Sequence, residues 1–297
     1  MPETYDHPGE LDLTVLLPSY NEQDAILPVI HEIRDALKDW PGTWEILVVD
    51  DASSDATSER AASAGVRVIR RPENGGSGAS RKTGTRAARG RLIAMLDADG
   101  TYPASHLPEM LSHFPVYEQV NGARTSEQGT YRALRFSAKL LIRKLAEWIS
   151  GKTIPDLNTG MKIYRRDVML DYLWCMPDGF SCVTSMTLAF MANGHPVKYV
   201  PIGYRKRIGK SKFHPVKDAA NYGATVVRLV MYFRPLRVFV PLAIVLGMVA
   251  VLDILIRIIR THGRLHVAPS DVVLFVGAAV ILAIGLLADL IVAQKRQ

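Results

Sequence analysis

The chain has 297 residues, 48% of them hydrophobic, and a formal net charge of +7. That length holds one sizeable α/β domain with an appendage, and two cysteines, Cys175 and Cys182, too far apart for a CxxC motif, exclude a disulfide-framed fold or a zinc ribbon. The positive charge suits nucleic acid, an anionic membrane or phosphorylated substrates. Its placement chooses: from Arg205 to Arg237 the only acid is Asp218, and the run leads into strongly apolar sequence, which fits lipid headgroups and phosphates and argues against nucleic acid.

The first residues, MPETYDHPGELDL, are acidic and lack an apolar core, so no cleaved targeting peptide is expected and the polar part belongs in the cytosol. Leu13–Leu17 is short, apolar and stopped by Pro18, the pattern of a buried strand. Asp24–Lys38 places Ile26, Val29, Ile30, Ile33 and Leu37 on one helical face. A second strand, Glu45–Val49, runs into Asp50 and Asp51; a helix follows near Asp55–Ala64, with Asp55 read as its cap, and then a third strand, Val66–Arg70. Asn74-Gly75-Gly76-Ser77-Gly78 opens a helix to about Arg89, and Leu92–Leu96 is a fourth strand ending in Asp97-Ala98-Asp99. This alternation predicts a mostly parallel sheet with helices on both faces and its ligands at the carboxyl ends of the strands.

Tyr131–Ser150 reads as a basic amphipathic surface helix, Asp156–Arg166 as a turn and strand, Val183–Ala192 as a buried helix and Val197–Pro201 as a last strand. Val216–Phe233 is amphipathic, and two apolar stretches follow at Val238–Ile256 and Val272–Ala293. Each is roughly twenty residues, enough to cross a bilayer core of about 30 Å. The expected organisation is a catalytic domain over residues 1–213, a juxtamembrane segment over 214–235 and a two-span hairpin over 236–297. Charge leaves the orientation ambiguous because Arg257, Arg260 and Arg264 lie between the spans; the larger basic cluster before the first span favours cytoplasmic termini. Asp253 and Asp289, inside the spans, are placed to reach interfacial water or basic neighbours.

Two carboxylates projecting past a strand, as in Asp97-Ala98-Asp99, can hold a divalent cation against a diphosphate. Pro18-Ser19-Tyr20-Asn21-Glu22 and Val48-Val49-Asp50-Asp51 end two further strands, so three acidic turns gather at one sheet edge. The glycine turn at 75–78 reads equally as a tight turn or as a set of backbone donors for phosphate or ribose. With NGGSGASRKTG and DADGTYP, these motifs across Leu13–Pro103 resemble the inverting glycosyltransferases of family 2, which implies the A-type glycosyltransferase fold, a Rossmann-like α/β sheet. The segments NGAR at 121–124, DLNTG at 156–160 and RIGKSK at 207–212 look like elements of polyprenyl-phosphate glycosyltransferases, among them dolichol-phosphate mannose synthases and bacterial polyprenyl-phosphate glucosyltransferases.

The resemblance implies that Pro18, Tyr20, Glu22, Gly78, Asp97 and Ala98 line the nucleotide-sugar pocket and that Asp51 contacts base or ribose. It implies Asp97, Asp99 and Arg124 as catalytic residues and Asp99 as ligand of Mg²⁺ or Mn²⁺. It further implies that Arg124, Thr159, Arg207, Ser211 and Lys212 serve the phosphates of acceptor or donor, joined from the surface helix by Arg132 and Arg135. Mannose synthases carry Gln where Thr101 stands; a hydroxyl there can still join the metal, but the change weakens an assignment to GDP-mannose. The implied reaction moves a hexose from a GDP-mannose or UDP-glucose type donor to polyprenyl phosphate at a membrane surface, with inversion, and a homo-oligomer is compatible with it. The alternatives are a polysaccharide synthase, against which the lack of a QxxRW motif counts, and an inactive membrane scaffold, against which the intact DAD counts.

Overall fold

The computed structural model describes residues 11–125, 143–144, 146–148, 151–179, 181–209, 228, 231–262 and 267–294. The chain divides into two compact units, Met1–Val226 and Val227–Gln297.

In the first unit the elements run β1 (Leu11–Ser19), α1 (Ile26–Leu37), β2 (Trp44–Asp50), α2 (Thr57–Ser63), β3 (Arg67–Arg70), α3 (Ser77–Ala87), β4 (Gly90–Met95), α4 (Leu107–Leu111), β5 (Gln119–Arg124), β6 (Lys162–Arg165), α5 (Arg166–Leu170), α6 (Cys182–Ala192) and β7 (Val197–Ile202). The strands form one sheet in the order β3-β2-β1-β4-β6-β5-β7. All neighbours are parallel except at β6, which runs antiparallel to both β4 and β5. The carboxyl ends of β1, β2, β4, β5 and β7 therefore share one edge, and the reversed β6 brings the loop before it, residues 156–161, to that same edge.

Both sheet faces are covered, as apolar runs such as Val15–Leu17 and Ile46–Val49 require. Leu13, Val15 and Leu17 pack with Ile26, Ile30, Ile33 and Leu37 of α1 on one face. Leu16, Leu47, Ile93 and Met95 pack with Ala87 of α3 and Met186 and Phe190 of α6 on the other. Cys175 and Cys182 are free, buried thiols.

The turn and strand expected at Asp156–Arg166 are a loop over 156–161 followed by β6 from Lys162. β5, α4 and α5 carry no regular apolar alternation. The expected helices at 131–150 and 216–233 fall largely outside the described residues.

The second unit holds α7 (Leu236–Arg260) and α8 (Pro269–Gln294), packed against each other. Both are long and apolar enough to cross a membrane, and their side chains face outward: Leu252, Val273 and Leu287 are 58%, 69% and 61% exposed. Close packing inside the pair comes at Gly285, where a Cβ would overlap Phe239. Near the connection, Arg257 pairs with Asp253, lies 3.1 Å from Ser270 Oγ and 3.5 Å from Asp271, and Asp271 Oδ2 accepts the Ala268 amide at 2.8 Å. Asp253 thus has the basic partner its place in an apolar helix demands.

Candidate active site

The turn after β1 is clipped to the turn after β2. Asn21, with φ 51°, donates its amide to Ser53 Oγ at 2.9 Å and accepts the Ser54 amide at 2.8 Å, while the Glu22 amide donates to Thr57 Oγ1 at 2.8 Å. Asn tolerates this left-handed backbone better than other side chains. Asp55 accepts from the Thr57 amide at 3.0 Å and the Gln23 amide at 3.3 Å, so it caps the first turn of α2 and braces the neighbouring turn. Asp50 is fully buried and takes the hydroxyls of Ser53 and Ser58, a structural carboxylate beside the cavity-lining Asp51. Asp51 binds Arg71 and accepts the Gly75 and Gly76 amides at 3.2 and 2.8 Å.

The glycine turn meets the chain on its other side as well. The Asp178 carbonyl accepts the Gly78 amide at 2.7 Å and the Ala79 amide at 3.3 Å, and a Cβ on Gly78 would overlap the Pro177 carbonyl. The turn is thus a tight packing element, with the amides of Gly75, Gly76 and Gly78 used inside the chain.

At the end of β4, Asp97 accepts Arg81 Nη2 at 2.5 Å. Arg81 is only 4% exposed and also contacts Met95 Sδ at 3.2 Å and Cys182 Sγ at 3.3 Å, so it is fixed from three sides. Gly160 backs Asp97: a Cβ there would strike the carboxylate. Asp99 Oδ1 accepts the Thr101 amide at 3.1 Å and its hydroxyl at 2.6 Å, leaving Oδ2 toward Arg207 Nε at 3.4 Å. Arg207 bridges Asp99 and Glu22, on a segment held by Arg205 N to Thr101 O at 2.9 Å and Ile208 N to Asp99 O at 3.0 Å. Burial, with Asp97 beside it, raises the Asp99 carboxyl above its ordinary range, against the pull of Thr101 and Arg207.

These groups enclose a cavity of about 270 Å³. Pro18, Tyr20, Glu22, Asp51, Asp97, Ala98, Asp99 and Arg207 line it, as do Ser19, Asn74, Gly76, Ser77, Ser80 and Arg81, of which the serines and Arg81 escaped the sequence reading. Gly78, Thr101, Arg124 and Thr159 do not line it. Thr101 is 1% exposed with its hydroxyl turned to Asp99, so it orients that carboxylate from behind. Thr159 Oγ1 turns back to the Met161 amide at 3.3 Å. Arg124 is engaged two-pronged with Asp156 at 2.6 and 2.9 Å and lies over the Tyr204 ring at 5.2 Å. Despite burial, Arg124 holds Asp156 below the ordinary carboxylate range. Arg132, Arg135, Ser211 and Lys212 lie outside the described residues.

No group of three or more His, Cys, Asp or Glu side chains able to hold a metal occurs among the described residues. The donor chemistry still suits a hard divalent ion. Asp99 and Glu22 offer carboxylate oxygens, a guanidinium already sits between them, and a cation there would relieve the crowding of Asp99 by Asp97.

A parallel sheet with acidic turns after three adjacent strands and one reversed strand completing the edge is the architecture of A-type glycosyltransferases. Glucosyl-3-phosphoglycerate synthase of Mycobacterium tuberculosis, crystallised with Mn²⁺, uridine-diphosphate-glucose and phosphoglyceric acid, shares this fold with a TM-score of 0.61 at 20% identity, over 74% of this chain and 80% of that one. The glycosyl transferase family 2 model matches residues 14–173, more than half of the chain, and the chain belongs to that family. Residues 234–293 match the GtrB C-terminal hairpin. A dolichyl-phosphate hexose transferase of Haloferax volcanii is 33% identical over 225 residues, 75% of this chain and 96% of its own. A dolichyl-phosphate beta-glucosyltransferase of Trichomonas vaginalis is 28% identical, over 76% of this chain and 73% of its own.

Proposed function

We propose that the protein transfers a hexose from a nucleotide-sugar to the phosphate of a polyprenol, inverting the anomeric centre, with its catalytic unit on the cytoplasmic side of a membrane that α7 and α8 cross. The observation that carries this reading is the convergence of Glu22, Asp51, Asp97, Asp99 and Arg207 on one cavity in a family 2 chain that ends in a GtrB-type hairpin. The relatives from Haloferax and Trichomonas, named for transfer involving dolichyl phosphate, support the acceptor class.

An acceptor phosphate oxygen is already anionic near neutral pH, so the site needs no strong general base. What it must do is hold the two reactants in line and absorb the charge of the departing diphosphate. In this reading Pro18, Tyr20 and Asp51, which line the cavity, receive the nucleoside, and Arg207 supplies positive charge beside Asp99 and Glu22. Asp99 would hold Mg²⁺ or Mn²⁺, which would supply charge neutralisation for the diphosphate. Arg124, locked to Asp156, acts by shaping the edge where β5 ends; Ser211, Lys212, Arg132 and Arg135 remain assigned to phosphates by resemblance. The test is to incubate the detergent-purified protein with a short polyprenyl phosphate, Mg²⁺ or Mn²⁺ and a panel of UDP- and GDP-sugars. One donor should give a glycosylated lipid and free nucleoside diphosphate in equal amounts; a folded protein that yields lipid product from none defeats the reading.

A further inference from the structure

The wall that α3 gives to the cavity differs chemically from the rest. Four of its backbone donors are spent, since Asp51 takes the amides of Gly75 and Gly76 and the Asp178 carbonyl takes those of Gly78 and Ala79. Of its three cations only Arg81 lines the cavity, and Arg81 is held on Asp97 at 2.5 Å. Among the described residues the wall therefore offers a phosphate no unengaged cation and few open amides.

Two hydroxyls remain. Ser77 and Ser80 both line the cavity, Ser80 is 1% exposed, and neither Oγ has a hydrogen-bond partner among the described residues. They lie one helical turn apart at the start of an eleven-residue helix and share the cavity with Asp97, whose side chain is 33% exposed. A shielded hydroxyl without a partner is costly, and a ligand group that supplies one removes the cost. Serine hydroxyls both donate and accept, and the carboxylate accepts. That combination matches neighbouring hydroxyls on a neutral ring and matches a phosphate poorly.

We propose that Ser77 and Ser80, with the Asp97 carboxylate that Arg81 holds in place, recognise a vicinal diol of the sugar-nucleotide donor. The inference rests on the reading of the chain as a nucleotide-sugar transferase and adds which side chains select the donor. Two parts of a donor carry such a diol, the ribose and the hexose, and the experiment separates them.

Calorimetric titration of the full-length protein uses UDP and GDP, their 2′-deoxyribose counterparts, and intact UDP- and GDP-hexoses that differ in one ring hydroxyl. The parent protein should prefer one member of a pair by about 10-fold, the scale of one hydrogen bond to a shielded group. In the Ser77→Ala/Ser80→Ala double variant that preference should shrink to about twofold or less, while the weaker-binding analogue keeps its affinity. Ser77→Thr, which retains a hydroxyl, should keep the preference. Loss confined to the ribose pair assigns the diol to ribose; loss confined to the hexose pair assigns it to the sugar. A double variant with both preferences intact, or a parent with neither, overturns the inference and leaves the transferase reading standing; a parent that binds no nucleotide overturns both.

Discussion

Lys162 sits at the centre of the sheet with no exposed surface, its ammonium donating to Thr187 Oγ1 at 2.8 Å and Asn121 Oδ1 at 3.2 Å. Burial pushes its pKa down to about 7 from 10.5. Between those values the unfolded chain holds the proton and the folded chain does not, so stability should rise with pH across that window, by at most about 1.4 kcal/mol per pH unit from this one group. A Lys162→Met variant should lose that part of the slope. Thermal unfolding in detergent at pH 7 and pH 9 checks it, and equal slopes in parent and variant would refute the assignment. The pair Arg124–Asp156 behaves oppositely: Asp156 is lowered, so its contribution is present above the ordinary carboxylate range and is lost as pH falls through the lowered value. Arg124→Gln should cost about 3–5 kcal/mol by stranding a buried carboxylate, and urea unfolding measures it. A loss of activity without that destabilisation would instead mark Arg124 as acting on substrate directly.

At the scale of elements, the reversed strand β6 decides what the site contains. Because it runs against β4 and β5, its leading loop reaches the edge where Asp97 lies, and Gly160 there leaves room for the carboxylate. Gly160→Ala should displace Asp97 and lower kcat/KM by roughly 100-fold, the cost of an ångström-scale misplacement, with nucleotide affinity falling and far-ultraviolet circular dichroism unchanged. Unaltered kinetics would show that Asp97 does not depend on this contact. β1, β2 and β4 and their acidic turns were legible because each is a short apolar run ended by a turn residue. β5 and β6 were harder to read since Gln119, Asn121 and Lys162 are buried polar residues that satisfy one another and Thr187, and buried polarity looks like a loop in sequence. Arg81 was missed for a related reason: a mid-helix arginine reads as a solvated charge until its partners Asp97, Met95 and Cys182 are known. Thr101 stands where mannose synthases carry Gln, and its hydroxyl donates to Asp99, an orienting contact that the sequence did not show.

For the whole molecule, sequence hydropathy marked both long helices, and the structure adds that their apolar surfaces are exposed, which water does not tolerate over such an area. The protein should stay in the membrane pellet after an alkaline carbonate wash and enter solution only with detergent; release by the wash alone would contradict a spanning hairpin. The sharpest test of the central claim is the acceptor itself. With the active donor and cation fixed, radiolabelled sugar transfer is compared between polyprenyl phosphate and the same polyprenol without phosphate, using parent and Asp99→Ala. The account predicts label in the lipid phase only with the phosphate, as a product of inverted configuration, and a loss of about 100-fold or more in Asp99→Ala, the scale of removing one stabilising group. Equal labelling of the unphosphorylated polyprenol, or full activity without the Asp99 carboxylate, would contradict it.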